Sequence, residues 1–553
     1  MNLIRKLLPA TVPIVLAALA LTASILPAPA WATAVLATAA LVLPWWRHRS
    51  RGLNRDRFSR GIAVAALAVV AARSAEGADI PAAIVGGTLI GIIGFERLLA
   101  QAIGTGYVET ANLSVRRSRK TSWFTPRTVY TATSVSSGVF AVAATAAPAT
   151  GVWPVWTAAG VVALLGAGLA AGVLGAWFER RRSAHSGDGA VVRAVNESQP
   201  KFIVHFSGPP GSCYQLHMWL PYLDQLGDPY LIVIREPEHL DELREGTQAP
   251  VVVVPSISAL EQLLSPSVKA AFYVNSAAVN TQLVRFSGLT HVQLMHGESD
   301  KASSFNKVTA IYDRVFVAGQ AAIDRYRHHG IDIPDSRFRS VGRPQLAEVL
   351  VGERVEHGLR RTLLYAPTWT GLASEFDYSS LAIGKHIVKA ALARDMVVIL
   401  RTHPYTRFNL AAARRLDEIE RVLTVDRQQS GRPHLWGSDA AGTVSLADCI
   451  NAADIAVCDV SAVAADWIYC DRPFAVTDMK MLGESFADEV WIARGASRIA
   501  GDASNLDEVF DELLVKDSRA AQRREARAYF LGEDSGEDLL ARFTSAAREA
   551  YER

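Results

Sequence analysis

The sequence predicts an α-helical membrane bundle followed by an α/β part with two Rossmann-like domains. Residues 1–178 consist mostly of Ala, Val, Leu and Gly, whereas the chain from about Glu179 has the mixed charge of a soluble protein. In the second part, short continuous apolar runs alternate with helix-length segments, which is typical of parallel strands covered on both faces. The predicted divisions are the bundle at 1–178, a linker at 179–200, a first Rossmann-like domain at 201–345 and a second at 346–553 that includes closing helices.

Six apolar segments approach the length of about 20 residues that a helix needs to cross the hydrocarbon core. They are Leu8–Leu26, Ala30–Trp46, Gly61–Ala72, Ile80–Ile93, Val129–Ala147 and Val155–Trp177. The short segment Gly61–Ala72 also fits a re-entrant or interfacial piece. An alternative for the first segment is a signal peptide over Met1–Ala30, whose cleavage would leave the orientation of the remaining chain unchanged.

Basic residues are concentrated in alternate connections between these segments. They are Arg5 and Lys6, then Arg47, Arg49, Arg51, Arg55, Arg57 and Arg60, then Arg116, Arg117, Arg119 and Lys120, and finally Arg180, Arg181 and Arg182. By the positive-inside rule this pattern predicts an even number of spans with both termini in the cytoplasm. The α/β part is then cytoplasmic, and the chain is a multi-pass protein of the cell membrane. Glu96 and Arg97 are expected at the inner interface, and the spans contain no pattern of a buried ion relay.

The α/β part contains ten strand candidates in two blocks. The first block has Phe202–Phe206, Tyr230–Ile234, Val251–Val254, Ala271–Val274, His291–Met295 and Arg314–Ala318, and the second has Thr362–Ala366, Met396–Arg401, Ile455–Cys458 and Phe474–Thr477. Because ligands of doubly wound sheets gather beyond the carboxyl ends of the strands, the residues that follow each strand are the candidate site residues.

Two histidines follow predicted strands. His296 ends a strand of the first block, and Gly297 beside it permits a close approach of the backbone to a ligand. Arg401, Thr402 and His403 end a strand of the second block, where a following proline biases His403 away from helix. A lone histidine is more often structural than catalytic, and the second group also fits a capped strand end with a surface ion pair. Arg and His together at one strand end nevertheless suit an anion such as phosphate.

A strand, a turn and a helix are predicted across residues 453–467. Asp459 and Ser461 lie in the turn, where Ser461 is expected to begin the helix, and Asp466 follows about one helical turn later. The unpaired N–H groups of a helix start favour phosphate. The alternative is a capping serine without a ligand.

Metal and nucleic-acid binding are not predicted. Cysteines Cys213, Cys449, Cys458 and Cys470 stand singly, without a Cys-x-x-Cys pair or a histidine cluster at zinc spacing, so we expect reduced, buried thiols. No carboxylate pair has obvious metal spacing, so we predict no metal and no cofactor. The net charge of +2, without basic runs interleaved with aromatics, gives no indication of a nucleic-acid partner.

Four short motifs resemble the CDP-glycerol:poly(glycerophosphate) glycerophosphotransferase family, and they occur in the order of that family. They are Met295-His296-Gly297, Tyr365-Ala366-Pro367-Thr368-Trp369, Arg401-Thr402-His403-Pro404-Tyr405, and Asp459-Val460-Ser461 with Asp466 and Arg472-Pro473. The resemblance covers roughly residues 202–477. It implies a GT-B fold and transfer of glycerol phosphate from CDP-glycerol to a growing teichoic-acid acceptor.

The resemblance also implies roles for individual residues. His296 and His403 would be the catalytic pair, with His296 as base and His403 as phosphate stabiliser or acid, or with these roles reversed. The donor's phosphates or ribose would be held by Arg401, Thr402, Asp459, Ser461 and Asp466, with Gly297, Pro367 and Thr368 nearby. The family usually has Thr-Pro and lysines after its His-Gly, where this chain has Glu298, Ser299, Asp300 and Lys301, which predicts a more acidic lip of the site beside His296. It also usually has Asp-Tyr-Ser-Ser where this chain has Asp459-Val460-Ser461-Ala462, so donor and acceptor identity remain open.

The expected partners are therefore a nucleotide-activated polyol donor, a lipid-linked or glycolipid acceptor, and membrane lipid. We expect the membrane bundle at 1–178 to present the acceptor at the inner leaflet. Two alternatives remain. One is a membrane-bound GT-B glycosyltransferase that uses a nucleotide sugar, and the other is a non-catalytic protein that binds polymer or nucleotide during export.

Overall fold

The structure is a computed structural model that describes residues 2–26, 29–47, 57–104, 109–113, 115, 126–254, 257–301, 304–352, 360–371, 377–532 and 536–552. The described chain divides into two compact units. A helical unit comprises Met1–Val108 and Val115–Val191, and an α/β unit comprises Glu109–Ser114 and Val192–Arg553. Of the basic residues in the predicted connections, Arg49, Arg51, Arg55, Arg116, Arg117, Arg119 and Lys120 lie outside the described residues.

Five of the six predicted spans fall within one helix each, and Leu8–Leu26 ends one residue beyond its helix. The helices are α1 (Asn2–Ile25), α2 (Ala30–Arg47), α3 (Arg57–Ser74), α4 (Asp79–Gly104), α5 (Pro126–Thr150) and α6 (Trp153–Ser198). Within the described residues, 3 of them are long and apolar enough to cross a membrane, through Asp79–Glu96, Val129–Thr150 and Trp153–Gly175. The apolar parts of α1 and α2 are shorter, at Val12–Ile25 and Ala30–Leu41. By length and composition α4, α5 and α6 could cross a membrane, and the six-span bundle stays a prediction.

The predicted linker at 179–200 is helical as far as Ser198, because α6 continues through it without a break. Pro200 is the first proline after this run, and a proline favours an end of the helix before it.

Glu96 is buried inside the helical unit, and its place at the inner membrane interface stays a prediction. Arg60 Nη1 and Nη2 lie 3.0 Å from Glu96 Oε2 and Oε1, and Arg60 Nη2 also donates to Thr133 Oγ1 at 2.8 Å. The guanidinium carbon of Arg60 lies 4.3 Å from the ring centroid of Tyr130. Arg60, expected in a connection, is part of α3, and this places its charge opposite Glu96.

The first sheet of the α/β unit is a doubly wound sheet with an added edge strand. Its strands are β1 (Thr110–Ala111), β2 (Phe202–Phe206), β3 (Tyr230–Ile234), β4 (Val251–Val253), β5 (Ala270–Tyr273), β6 (Thr290–Gln293), β7 (Arg314–Val317) and β8 (Phe338–Ser340). The spatial order is β1-β4-β3-β2-β5-β6-β7-β8. All neighbours are parallel except β1 and β4. Its helices are α7 (Tyr214–His217), α8 (Leu220–Asp224), α9 (Leu240–Gly246), α10 (Ile257–Leu263), α11 (Thr281–Val284) and α12 (Gln320–His328).

The second sheet is entirely parallel. Its strands are β9 (Thr362–Ala366), β10 (Val397–Leu400), β11 (Ile455–Cys458), β12 (Phe474–Asp478) and β13 (Ser497–Ala500), in the order β10-β9-β11-β12-β13. Its helices are α13 (Gly384–Leu392), α14 (Leu410–Ser430), α15 (Leu446–Ala452), α16 (Ala462–Trp467), α17 (Phe486–Glu489), α18 (Leu506–Asp511) and α19 (Ala520–Leu531). All ten predicted strands are therefore present within one or two residues, and the predicted α/β class with two parallel sheets is confirmed.

The last helix, α20 (Gly536–Tyr551), returns to the first sheet, although the sequence placed it with the second domain. Phe543 and Tyr551 belong to the same buried core as Phe202. The rings of Phe202 and Tyr551 stack at 5.1 Å between centroids. Apolar residues spaced four apart give α20 one apolar face, which the core of the first sheet buries.

Candidate active site

The carboxyl ends of the two sheets bring the two predicted histidines to one tyrosine. Tyr214 follows β2, and its Oη lies 3.4 Å from His403 Nε2, beyond the end of β10. The ring centroid of Tyr214 lies 6.3 Å from that of His296, beyond the end of β6. The sequence did not predict Tyr214 as a site residue, because the Gly- and Pro-rich loop before it lacks a phosphate-binding motif. Its position after a predicted strand was the one available signal.

His296 is held with its Nε2 lone pair available. Its Nδ1 lies 3.2 Å from the carbonyl oxygen of Val274, which can only accept, so Nδ1 carries the proton and Nε2 does not. Burial, followed by the nearby Arg343 charge, lowers the pKa of His296 to about 4, so the imidazole is neutral near pH 7. The preceding residue, Met295, has the left-handed φ of 56°. Trp219 Nε1 donates to the Met295 carbonyl at 2.6 Å and fixes this unfavourable backbone, which orients the histidine.

His403 is held in the opposite tautomer. Its Nδ1 accepts a hydrogen bond from the backbone N–H of Tyr405 at 3.1 Å, so in the neutral ring Nε2 carries the proton. The indole of Trp369 stacks on the imidazole, with centroids 5.9 Å apart and an interplanar angle of 25°. Burial and then the charge of Lys301 lower the pKa of His403 to about 3. His403 therefore offers a hydrogen-bond donor toward Tyr214, whereas His296 offers an acceptor.

Lys301 joins the two domains beside His403. Its Nζ donates to Thr368 Oγ1 at 2.7 Å, from the loop after β9. Burial lowers the pKa of Lys301 to about 8, and the carboxylates of Asp459 and Asp377 oppose that shift. Sequence reasoning noted Lys301 only as the single lysine of an acidic run, and its spatial neighbours make it a site residue.

The carboxylates of Glu298 and Asp300, close to Lys301 in the sequence, form ion pairs with Arg325. Glu298 Oε2 lies 2.9 Å from Arg325 Nη1, and Asp300 Oδ1 lies 3.2 Å from Arg325 Nε. Asp300 Oδ2 accepts from the backbone N–H of Ile492 at 2.9 Å. Arg325 is 3% exposed, so a buried cation balances the acidic lip that the sequence suggested beside His296.

Asp459 is fully buried and organises the loops of the second sheet. Its Oδ2 accepts from the backbone N–H groups of Thr368 at 2.6 Å and Ser380 at 3.1 Å, and its Oδ1 accepts from Thr477 Oγ1 at 2.7 Å. Both carboxylate oxygens are thus occupied by protein donors. The structure places Asp459 beneath the site, where it fixes the ends of β9 and β12.

Asp466 and Gly297 lie where the two domains of the α/β unit meet. Asp466 on α16 forms a bidentate ion pair with Arg343, at 2.7 Å to Nε and 3.1 Å to Nη2, and both side chains are buried. A Cβ added to Gly297 would lie 2.6 Å from Ala462 Cβ, so only a glycine permits this approach of the domains. The close neighbour of Gly297 is therefore the start of α16.

The remaining predicted donor-binding residues differ in their availability. Arg401 Nη1 donates to the carbonyl of Val444 at 2.8 Å and also to that of Ala440, so its guanidinium is engaged with backbone. Thr402 is half-buried beside it, and the buried Pro367 accepts from the His403 N–H at 3.4 Å. Ser461 precedes α16 as expected, and among the described residues its buried Oγ has no hydrogen-bond partner.

This arrangement can remove a proton from one molecule and stabilise negative charge on another. His296 supplies an unprotonated ring nitrogen, and Lys301, His403 and the Ser461 hydroxyl supply donors. Proton removal with charge stabilisation is the combination that acyl and phosphoryl transfer require.

Comparisons with known proteins agree with the second domain of this description. Residues 351–483 match the sequence model of the family described as CDP-Glycerol:Poly(glycerophosphate) glycerophosphotransferase. The match includes Thr368, His403, Asp459, Ser461 and Asp466, but His296 and Lys301 lie before it. No curated protein matches the sequence significantly.

Solved structures resemble the chain at low sequence identity. The wall teichoic acid polymerase TagF is 16% identical with a TM-score of 0.41, over 66% of this chain and 98% of that chain. A putative UDP-N-acetylglucosamine 2-epimerase from Listeria monocytogenes is 11% identical with a TM-score of 0.42, over 64% of this chain and 96% of that chain. Through its match at residues 351–483, the chain is a CDP-glycerol glycerophosphotransferase-like transferase.

Proposed function

We propose that the protein transfers glycerol phosphate, or another polyol phosphate, from a CDP-activated donor to a lipid-linked or glycolipid acceptor of a teichoic-acid-like cell-envelope polymer. The observation that carries this proposal is that His296 and His403, which both lie near Tyr214, have opposite tautomers. The family match over residues 351–483 supports the choice of donor.

In the proposed reaction, an acceptor hydroxyl attacks the phosphorus atom that carries the glycerol. The new bond joins the acceptor oxygen to phosphorus, and the bond from phosphorus to the bridging oxygen breaks, so CMP leaves with that electron pair. His296 Nε2 takes the proton of the attacking hydroxyl and passes it to solvent or to the CMP phosphate. A neutral histidine suits this step because its basic nitrogen is free near pH 7.

The charge of the transferred phosphoryl group is balanced by the second domain and by Lys301. The Nε2–H of His403 and the ammonium of Lys301 donate to phosphate oxygens, and the free hydroxyl of Ser461 with that of Thr402 completes the set. Such positioned donors act mainly on the transition state of phosphoryl transfer. The sequence left the two roles open, and the different tautomers support the proposal that His296 is the base and His403 the donor.

Arg401, Asp459 and Asp466 serve as positioning residues in this proposal. Their charged atoms are engaged with protein partners, so they act through the loops that hold Thr368, Ser461 and Arg343. The proposed reaction uses no metal, since the carboxylates of Asp459 and Asp466 are already satisfied by hydrogen bonds or an ion pair.

We also propose that the helical unit anchors the protein and presents the lipid-linked acceptor. The connection between α4 and α5 supplies β1, which pairs with β4 of the first sheet. The basic connections of the sequence support a cytoplasmic location of the α/β unit in this proposal. If the α/β unit without helices α1 to α5 modified a membrane-bound acceptor as fast as the full chain, the acceptor role of the helical unit would be refuted.

A calorimetric titration tests the donor. The full-length protein in detergent is titrated with CDP-glycerol, CDP-ribitol, UDP-glucose and GDP-mannose, beside His403→Ala and a control variant, His386→Ala, whose histidine is exposed on α13. We expect preferential binding of a CDP-polyol that His403→Ala weakens and His386→Ala does not. Preference for a nucleotide sugar would instead support the glycosyltransferase alternative, and absence of binding would support the non-catalytic one.

A further inference from the structure

A group of metal-ligand side chains lies next to Tyr214, outside the proposed reaction. Ligand atoms of Cys213, His239 and Glu242 all lie within 4.8 Å of one another. Cys213 is 0% and His239 1% exposed, whereas Glu242 lies at the surface. We propose that these three side chains bind a zinc ion, with His217 as a fourth ligand, and that this site goes beyond the transferase function.

The hydrogen bonding of His239 prepares it for a metal. Its Nε2 lies 2.8 Å from the carbonyl oxygen of Gly208. Because a carbonyl only accepts, Nε2 carries the proton and Nδ1 keeps its lone pair for a cation. Metal-binding histidines commonly direct their second N–H at a backbone carbonyl, which fixes the tautomer and raises the basicity of the ligand nitrogen.

His217 is placed to complete the coordination. It follows Cys213 by four residues, and its Nε2 lies 3.4 Å from Glu242 Oε1. Gly246 makes room for this ring, since an added Cβ would lie 2.4 Å from His217 Cε1. Zinc takes four ligands in a tetrahedron at about 2.0–2.3 Å, which separates the ligand atoms by roughly 3.3–3.8 Å. Their ligand atoms lie within 4.8 Å of one another, so Cys213, His239 and Glu242 reach this geometry when those distances shorten by about 1.5 Å or less.

The chemistry of the ligands favours zinc over harder ions. A thiolate and imidazoles bind zinc, whereas magnesium and calcium prefer oxygen alone. Zinc binding would replace the proton of the Cys213 thiol and give the buried sulfur a cationic partner.

The ion would fix the segment that carries Tyr214. Cys213 immediately precedes Tyr214, while His239 and Glu242 belong to the segment after β3. Ser207 Oγ and the backbone N–H of Gly208 already donate to Glu236 at 2.7 and 3.3 Å. His239 Nε2 also donates to the Gly208 carbonyl, so hydrogen bonds already join these segments. A zinc ion would cross-link the segments after β2 and β3 more rigidly and hold the hydroxyl of Tyr214 near His403.

Metal analysis of the full-length protein in detergent tests the site. After incubation with zinc and buffer exchange, we expect about one equivalent of zinc per chain by mass spectrometry. Cobalt in its place should give a sulfur-to-cobalt charge-transfer band. Cys213→Ser should abolish that band, and Glu242→Gln, a surface change that leaves the core intact, should weaken zinc binding about tenfold or more. Cys470→Ser, which alters a buried thiol elsewhere, should change neither.

Two results would overturn the proposal. One is the absence of retained zinc in the native protein, and the other is an unchanged zinc affinity in Glu242→Gln together with an unchanged cobalt spectrum in Cys213→Ser. Should Cys213→Ser fail to fold, the affinity of Glu242→Gln decides alone. Metal content is measured without donor or acceptor, so the result is independent of the transferase activity.

Discussion

The alkaline limit of activity should be set by Lys301. Burial lowers its pKa to about 8, so the ammonium loses its proton as the pH rises through that value. About nine-tenths of the side chain is charged at pH 7 and about one-tenth at pH 9, as a single titration with that midpoint requires. Because only the charged form donates to the phosphoryl group, kcat/KM for CDP-glycerol should fall about tenfold between these two pH values.

The two histidines do not contribute to this limb. The pKa values of His296, about 4, and His403, about 3, leave both rings neutral from pH 7 upward. The loss of activity in base is therefore assigned to the lysine alone, whereas protonation of His296 should reduce activity only as the pH falls toward about 4.

Two variants test whether activity depends on the charge of the Lys301 side chain or on its size: Lys301→Met removes the charge, and Lys301→Arg keeps it. Losing one donor to the transition state should lower kcat/KM about 10²–10³-fold in Lys301→Met and remove the decline between pH 7 and pH 9. Lys301→Arg should retain more activity, again without the decline, because arginine stays charged. Lys389→Met, on the exposed face of α13, is the control and should keep the native profile. CMP release at saturating acceptor is the assay. A decline that persists in Lys301→Met would refute the assignment.

Three further predictions concern the domain contact and the ion requirement. Gly297→Ala should lower kcat/KM about 10–100-fold, because its Cβ would lie 2.6 Å from Ala462 Cβ. Adding Ala462→Gly to the same chain should restore most of the rate. A double variant as slow as Gly297→Ala would contradict this contact. Asp466→Asn should reduce the free energy of unfolding by about 3–5 kcal/mol, because it breaks the buried ion pair with Arg343. Urea unfolding followed by tryptophan fluorescence measures this change. An unchanged urea midpoint would contradict a stabilising role of the ion pair. Initial rates of CMP release should be equal in magnesium-free buffer and in buffer with added magnesium, and a rate that depends on magnesium would disprove the metal-free reaction.

The sequence predicted the interior of the fold better than its edges. Central strands such as β2 and β3 are buried on both faces, and their continuous apolar runs are visible in the sequence. The edge strands β1, β8 and β13 were missed because they are short and partly exposed, so they contain polar residues such as Arg339 and Arg498. An edge strand pairs on one side only, which weakens its pattern.

The sequence also predicted the two histidines but not the contacts that define them. His296 and His403 stand after strands, and parallel strands bring such residues to one edge of each sheet. Tyr214, Lys301 and Arg343 were missed because their importance depends on which loops meet across the two domains. A local sequence pattern does not show which loops of the two domains contact each other.

Two features of the site depend on residues that are distant in the sequence. Glu298 was expected to make the lip of the site acidic, but the distant Arg325 balances it. The ligands of the proposed zinc site come from two segments with unusual spacing, so they form no zinc pattern in the sequence, and the predicted absence of a metal stays untested. Charge and ligation depend on partners far away in the chain.

The central claim is that two histidines of opposite tautomer transfer glycerol phosphate from CDP-glycerol. Its most direct test is CMP release by the full-length protein with a membrane-bound glycolipid acceptor, compared among the native chain, His296→Gln and His403→Gln, with His386→Gln as control. We expect acceptor-dependent CMP release that falls at least about 10²-fold in each site variant and is unchanged in the control. Native turnover of a nucleotide sugar in place of CDP-glycerol, or full activity in either site variant, would contradict the account.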